Sequence, residues 1–245
     1  MSQVTRIQES VHPYQVDPHR KLTIPALIDI MHIAAWKSAE DLGASVYDLH
    51  KDGITWAMVK YRLEVFRYLD HHETFHIESY PSGHEKSFVY RDYHAFDAVG
   101  NQVARASSTW LVFDLETRRM STLRDYMVPI LHCPEEREPL ERPSQRLGRL
   151  KVETSSLTFP VRWHELDPNN HVTNTMYFLW ALEAMGKDWL NTHQLKEIEV
   201  HFKAETTAGD QVVSAYHQVD DHTFLHEIKR ASDGKTSALA RTVWN

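Results

Sequence analysis

A tandem duplication constrains this chain more than any other feature. The stretch VDPHRKLT, Val16 to Thr23, lines up with LDPNNHVT, Leu166 to Thr173, at a constant offset of 150, keeping Asp-Pro, an aliphatic residue and Thr in place. Repeats are sought first because they set the architecture. Each copy opens a helical pattern. In the first, Thr23 can cap a helix that tolerates Pro25 in its first turn, and Ala26, Leu27, Ile30, Met31, Ala34 and Ala35 recur at helical spacing until Gly43. In the second, Thr173 or Asn174 can cap TMYFLWALEAMGKDWL, which is apolar around most of its circumference and so must be enclosed.

Strand patterns follow each helix. In the first half, Ala57, Val59, Tyr61, Leu63 and Val65 alternate with Lys60, Arg62 and Glu64; runs at ETFHIESYPS, KSFVYRDYHAFD and QVARASSTWLVFD come next. The second half offers LKEIEVHFKAET, DQVVSAYHQV, TFLHEIKRA and TSALARTVW. Ser82-Gly83, Val99-Gly100-Asn101 and Ser232-Asp233-Gly234 are turn signals suited to antiparallel hairpins. Both series end alike, Ala106 to Trp110 (ASSTW) matching Ala240 to Trp244 (ARTVW). Helix then antiparallel strands, twice, reads as α+β, each sheet curving around its helix. Residues 132–151, rich in charge and proline, have a linker composition, which divides the chain into domains at 1–131 and 152–245.

Composition narrows the function. With 42% hydrophobic and 25% charged residues the chain buries an ordinary core, and a net charge of -7 argues against a general binder of nucleic acid or anionic membrane. The single cysteine, Cys133, excludes an internal disulfide. With no apolar signal segment and no membrane-spanning run, the expected address is cytoplasmic. The 17 histidines are scattered without HExxH, CxxC or similar spacing, so neither metal nor cofactor is expected.

The chemistry concentrates in ELDPNNHVTNTMYF, Glu165 to Phe178. Alternate side chains of an extended segment face one side, which gathers Asp167, Asn169 and His171. Pro168 fixes its own φ and steers Asp167 toward the extended region. The first amides of the following helix have no intrahelical partners and carry the positive end of its dipole, a place for developing negative charge. Asp and Asn are also common punctuation before helices, and the first copy, with Asp17, His19 and Lys21, makes the turn without the Asn/His pair.

These residues carry a family resemblance. WHELDPNNHVTNTMYFLWALE resembles the signature Trp-x-Asp-Leu-Asp-x-Asn-x-His-Val-x-Asn-x-x-Tyr of the fatty acyl–acyl carrier protein thioesterases of plants and bacteria. THQLKEIEVHFKAET, ITWAMVKYRLEVFRY and ARASSTWLVFDLETRRMSTL are similar to other segments of that family, so the likeness spans both halves. The resemblance implies a tandem, or double, hotdog fold, each half a helix wrapped by an antiparallel sheet, with the acyl chain in the N-terminal domain. It further implies hydrolysis of a fatty acyl thioester on acyl carrier protein, and Asp167, Asn169, His171 and Glu205 as active-site residues. A cysteine implicated in some plant members falls on Thr206 here, which favours water activated by Glu205 or Asp167 over an acyl-enzyme. By strand parity Glu205 goes with Glu197, Glu199, His201 and Lys203 as an exposed charge, and only a bulge or a strand end turned toward the site would make it catalytic.

Met31, Trp36, Trp56, Met58 and Trp110 are candidate acyl-lining residues, though such spacing equally suits plain core. The partner expected is an acyl carrier protein, with a homodimer left open. Arg118, Arg119 and Arg124, or Arg142, Arg146, Arg149 and Lys151, could form a basic surface for an acidic carrier. A hotdog hydratase or dehydratase and a non-catalytic acyl-binding protein are the alternative readings.

Overall fold

Each helix-and-strands pattern becomes one unit. The computed structural model describes residues 4–167 and 169–245, divided into Met1–Pro143 and Ser144–Asn245. Pro168, invoked above to shape the turn, lies outside the described residues.

In the first unit, β1 (Thr5–Ser10) leads into α1 (Ile24–Asp41), α2 (Val46–Lys51), β2 (Ile54–Val65), β3 (Thr74–Glu85), β4 (Phe88–Asp97), β5 (Gln102–Asp114) and the short β6 (Arg119–Met120). The antiparallel order is β1-β3-β4-β5-β2, with β6 on β5, and α1 packs on β1 and β3. The second unit repeats this. β7 (Ser155–Pro160), α3 (Asn174–Glu183), α4 (Lys187–Thr192), β8 (Leu195–Phe202), β9 (Gln211–Gln218), β10 (Thr223–Arg230) and β11 (Thr236–Trp244) give β7-β9-β10-β11-β8, with α3 on β9 and β10. This is the α+β double hotdog.

Local chemistry explains where these elements depart from simple periodicity. Thr23 caps α1 through its hydroxyl, which accepts from the Ala26 amide at 3.3 Å. The second apolar segment is not one helix: Gly186, at φ 82°, breaks it into α3 and α4. In β2 the register shifts between Met58 and Lys60, so Ile54 and Met58 are buried before the bulge and Tyr61, Leu63 and Val65 after it; Ala57 and Val59 therefore do not continue the buried row. Ser82-Gly83 is likewise a bulge inside β3 rather than the hairpin turn, which falls at Lys86 with φ 54°.

Glu199 and His201, expected on an exposed strand face, are buried, because the 132–151 segment covers the sheet surfaces turned away from the helices. Without regular secondary structure, this strap is held by buried carboxylates. In the first unit Arg137 binds Glu78 at 2.6 Å, Asp92 accepts from the Leu140 amide at 2.8 Å and from Arg142 at 3.1 Å, and Arg142 lies 4.3 Å from the Tyr90 ring centroid. In the second, Glu199 accepts from the Ser144 amide at 2.8 Å and pairs with His201 at 2.7 Å, and Glu227 accepts from the Leu150 amide at 3.1 Å and from Thr236 at 2.6 Å. Burial alone would raise the Glu78 and Glu199 carboxyls; Arg6 and Arg137 around the first, and His201 and Ser144 around the second, outweigh it and hold both below the usual range.

Two histidines withdrawn from water, His226 fully and His32 for the most part, give the fold a pH dependence. Burial pushes His32 down to about 4 and His226 down to about 3. The unfolded chain binds these protons first, so each contribution is constant above pH 6.5 and lost as the pH falls from there toward the folded value. Each lowers stability by about 2 kcal/mol between pH 7 and pH 5. Urea midpoints at those two pH values should converge by that amount when His226→Phe is compared with the unsubstituted chain.

Candidate active site

Asp167 organises the turn that precedes α3. Its Oδ1 accepts from the amides of Asn169 at 2.9 Å and His171 at 3.0 Å, its own amide donates to the His171 carbonyl at 2.7 Å, and Asn170 takes φ 65° to close the loop. Upstream, the short 3₁₀ turn Trp163–Glu165 is fixed by Glu165, whose carboxylate binds Arg162 and whose carbonyl accepts from the Thr173 amide at 2.9 Å.

The same turn exists in the first unit. Asp17 accepts from His19 at 2.8 Å and Lys21 at 2.9 Å, and Arg20 stands at φ 63°. The Asp is thus part of the fold in both copies. The copies differ in what they display: Lys21 forms an ion pair with Asp70 at 2.6 Å, whereas His171 Nε2 lies 3.2 Å from Glu205 Oε2.

Glu205 reaches His171 because β8 ends at Phe202, before parity would send the carboxylate outward. The chain beyond it is stitched to the turn: the Val172 amide donates to the Thr206 carbonyl at 2.9 Å, and His171 bridges Thr207. Arg230, itself held by Asp233 at 2.5 Å, donates to the Glu205 carbonyl at 3.1 Å. Side-chain exposure is 25% for His171 and 46% for Glu205, so the pair meets water. Asn169 is exposed beside it, its amide nitrogen 3.4 Å from Asp167 Oδ2. All four expected site residues therefore stand around one turn.

Three more residues contribute, none of them assigned a role from the sequence. Tyr177, on the first turn of α3, is buried next to Thr206, and burial with the nearby Glu205 charge pushes its phenol up. Thr206 donates to Ser237 at 3.0 Å inside the core, and Arg230 fixes the Glu205 backbone. Tyr177 sits in the quoted signature and could have been found there; the Thr206–Ser237 and Arg230 contacts bring distant strands together and leave no local signal. The Thr173 hydroxyl makes no capping bond, unlike Thr23 at the equivalent place.

Other candidates divide. Met31 and Met58 are buried, Trp56 donates to the Ala44 carbonyl at 2.8 Å, and Trp36 is 40% exposed, bonded to Glu40 rather than turned inward. Among the expected basic residues, Arg142 is spent on Asp92 and Ser82, whereas Arg118, Arg119 and Arg146 are exposed. No helix among the described residues is long and apolar enough to cross a membrane.

Both units match known proteins. Residues 3–131 match the Acyl-ACP thioesterase N-terminal domain and residues 149–245 the Acyl-ACP thioesterase C-terminal domain. Oleoyl-acyl carrier protein thioesterase 1, chloroplastic, of Arabidopsis thaliana is 22% identical over 96% of this chain and 74% of its own length. For acyl-[acyl-carrier-protein] hydrolase FATB3, chloroplastic, of Cuphea viscosissima the identity is 24%, over 96% of this chain and 61% of the relative, so the chain spans about three-fifths of that protein. Among solved structures, an acyl-ACP thioesterase from Bacteroides thetaiotaomicron superposes with a TM-score of 0.87 at 22% identity, over 99% of this chain and 98% of the other. The 12:0-ACP thioesterase from Umbellularia californica does so at 0.83 and 20% identity, over 99% and 97%. At such identities the structural likeness speaks to the fold, while the two family matches together cover most of the chain. By these matches the chain belongs to the acyl-ACP thioesterase family of hydrolases, with both of its domains in tandem.

Proposed function

We propose that the chain hydrolyses a fatty acyl thioester of acyl carrier protein, with Glu205 as the general base. The observation that carries this reading is the solvent-facing contact of 3.2 Å between Glu205 Oε2 and His171 Nε2 on a turn whose other copy carries only a lysine–aspartate pair. Glu205 takes a proton from water as its oxygen attacks the thioester carbonyl carbon; the C–S bond breaks, and the sulfur leaves as a thiol with that proton. His171 holds the carboxylate in place, and Asn169 positions the water or the carbonyl. Amides of the first turn of α3 receive the oxyanion. Asp167, with Oδ1 occupied by two backbone amides, serves as the positioning residue of the turn rather than as the base.

No thiol nucleophile is assigned. By the family resemblance Thr206 takes the place of a cysteine found in some plant members, and burial pushes the Cys133 thiol up, away from the reactive thiolate. The interior of the first unit accommodates the acyl tail, and the exposed Arg118 and Arg119 are suited to an acidic carrier. The test is thiol release from saturated acyl thioesters of several chain lengths on carrier protein and on coenzyme A. Faster turnover on the carrier is expected; absence of thiol release from every thioester would overturn the reading.

A further inference from the structure

The duplication allows the inner faces of the two sheets to be compared position by position. Ser108 and Thr242 are equivalent: the Trp110 indole donates to Ser108 at 2.7 Å and the Trp244 indole to Thr242 at 2.9 Å. Across from Ser108 on the neighbouring strands stand Tyr61 and Arg91; across from Thr242 stand Ile198 and Phe224. In the second unit these two places are plain apolar core, Ile198 at 0% and Phe224 at 2% exposure. A phenol and a guanidinium replace them in the first.

These groups lie under α1. The Tyr61 hydroxyl donates to Met31 Sδ at 3.2 Å, the His32 ring meets Tyr61 edge-on at 5.6 Å, and Tyr93 lies 5.7 Å from Tyr61. Donors are in surplus there. Arg91 bonds Ser79, a neutral hydroxyl, at 3.0 Å and makes no ion pair among the described residues. The fully buried Tyr93 hydroxyl has only the Ser108 side chain nearby, in a contact too poorly aligned to satisfy it, and Ser38 Oγ and His32 Nε2 make no hydrogen bond. Burial pushes both Arg91 and His32 down, although each keeps some accessible surface. Buried donors left without acceptors are costly, and an all-hydrocarbon chain lying over them would leave them so.

We infer that the interior of the first unit is built for an acyl chain that carries an oxygen acceptor, a ketone carbonyl or a carboxylate, away from the thioester, with Arg91 and Tyr93 as the donors. The inference rests on the reading above that this interior holds the acyl tail.

The test uses the full chain with three carrier-protein thioesters of equal length: unsubstituted, with a mid-chain oxo group, and with a terminal carboxylate. At least one oxygenated substrate should exceed the unsubstituted one in kcat/KM by about 10- to 100-fold, the range expected for a charged hydrogen bond. Arg91→Met and Tyr93→Phe should each drive that ratio toward one. A ratio moved by Arg91→Met alone assigns a carboxylate, and one moved by both assigns a carbonyl. Thermal shifts with the free oxo, dicarboxylic and unsubstituted acids separate this idea from the hydrolase reading. If no thioester is cleaved but an oxygenated acid stabilises the chain more than the plain one, and Arg91→Met erases the difference, the pocket stands and the hydrolysis falls. Equal or better use of the unsubstituted chain, with a ratio unmoved by either variant, overturns the inference.

Discussion

Glu205→Gln should lower kcat/KM for thioester hydrolysis by about 10²- to 10⁴-fold while leaving the unfolding midpoint nearly unchanged. The amide keeps the size of the carboxylate and can still contact His171, but it cannot accept a proton from water. Because Glu205 is almost half exposed, its removal strands no buried charge, and the pair contributes little to stability. Asp167→Asn separates the two carboxylates. It retains an oxygen for the Asn169 and His171 amides, so a positioning role predicts a much smaller loss than Glu205→Gln. The reverse ranking, measured by thiol release under saturating and limiting substrate, would move the base to Asp167.

Asp92→Ala is expected to destabilise the first unit by about 3 kcal/mol, among the largest losses any single side chain here should produce. The carboxylate is fully buried and is the acceptor for both the Leu140 amide and Arg142, which also binds Ser82 and stacks on Tyr90. Removing it leaves a half-buried guanidinium and a backbone amide without their acceptor. An ordinary surface ion pair would contribute about 0–1 kcal/mol, so a urea midpoint within 1 kcal/mol of the unsubstituted chain would show that the strap is merely lying on the sheet.

What could be read without coordinates follows from the range of the interactions involved. The duplicated Asp-Pro turn, the two helix starts and the alternation from Tyr61 to Val65 are local, so the sequence displays them. Asp167, Asn169 and His171 span five residues end to end, and their gathering was legible for the same reason. Glu205 was harder: its parity pointed outward until the end of β8 at Phe202 released it, and strand ends are decided by pairing partners far along the chain. The bulge beyond Met58 and the covering of Glu199 and His201 were invisible for that reason as well. Charge and proline in the strap look like a solvated connector until buried acids from other strands are seen to receive it.

The division of the chain between Pro143 and Ser144 falls where the ownership of those acids changes. Glu78 and Asp92 are served by residues 137–142, and Glu199 and Glu227 by residues 144–150. Each half therefore brings its own cover, and a backbone cut at that junction would separate none of these four carboxylates from its strap partner. Each segment of the strap thus stays with the acids of its own repeat, so the seam is marked by a change of partners and not by a change of composition.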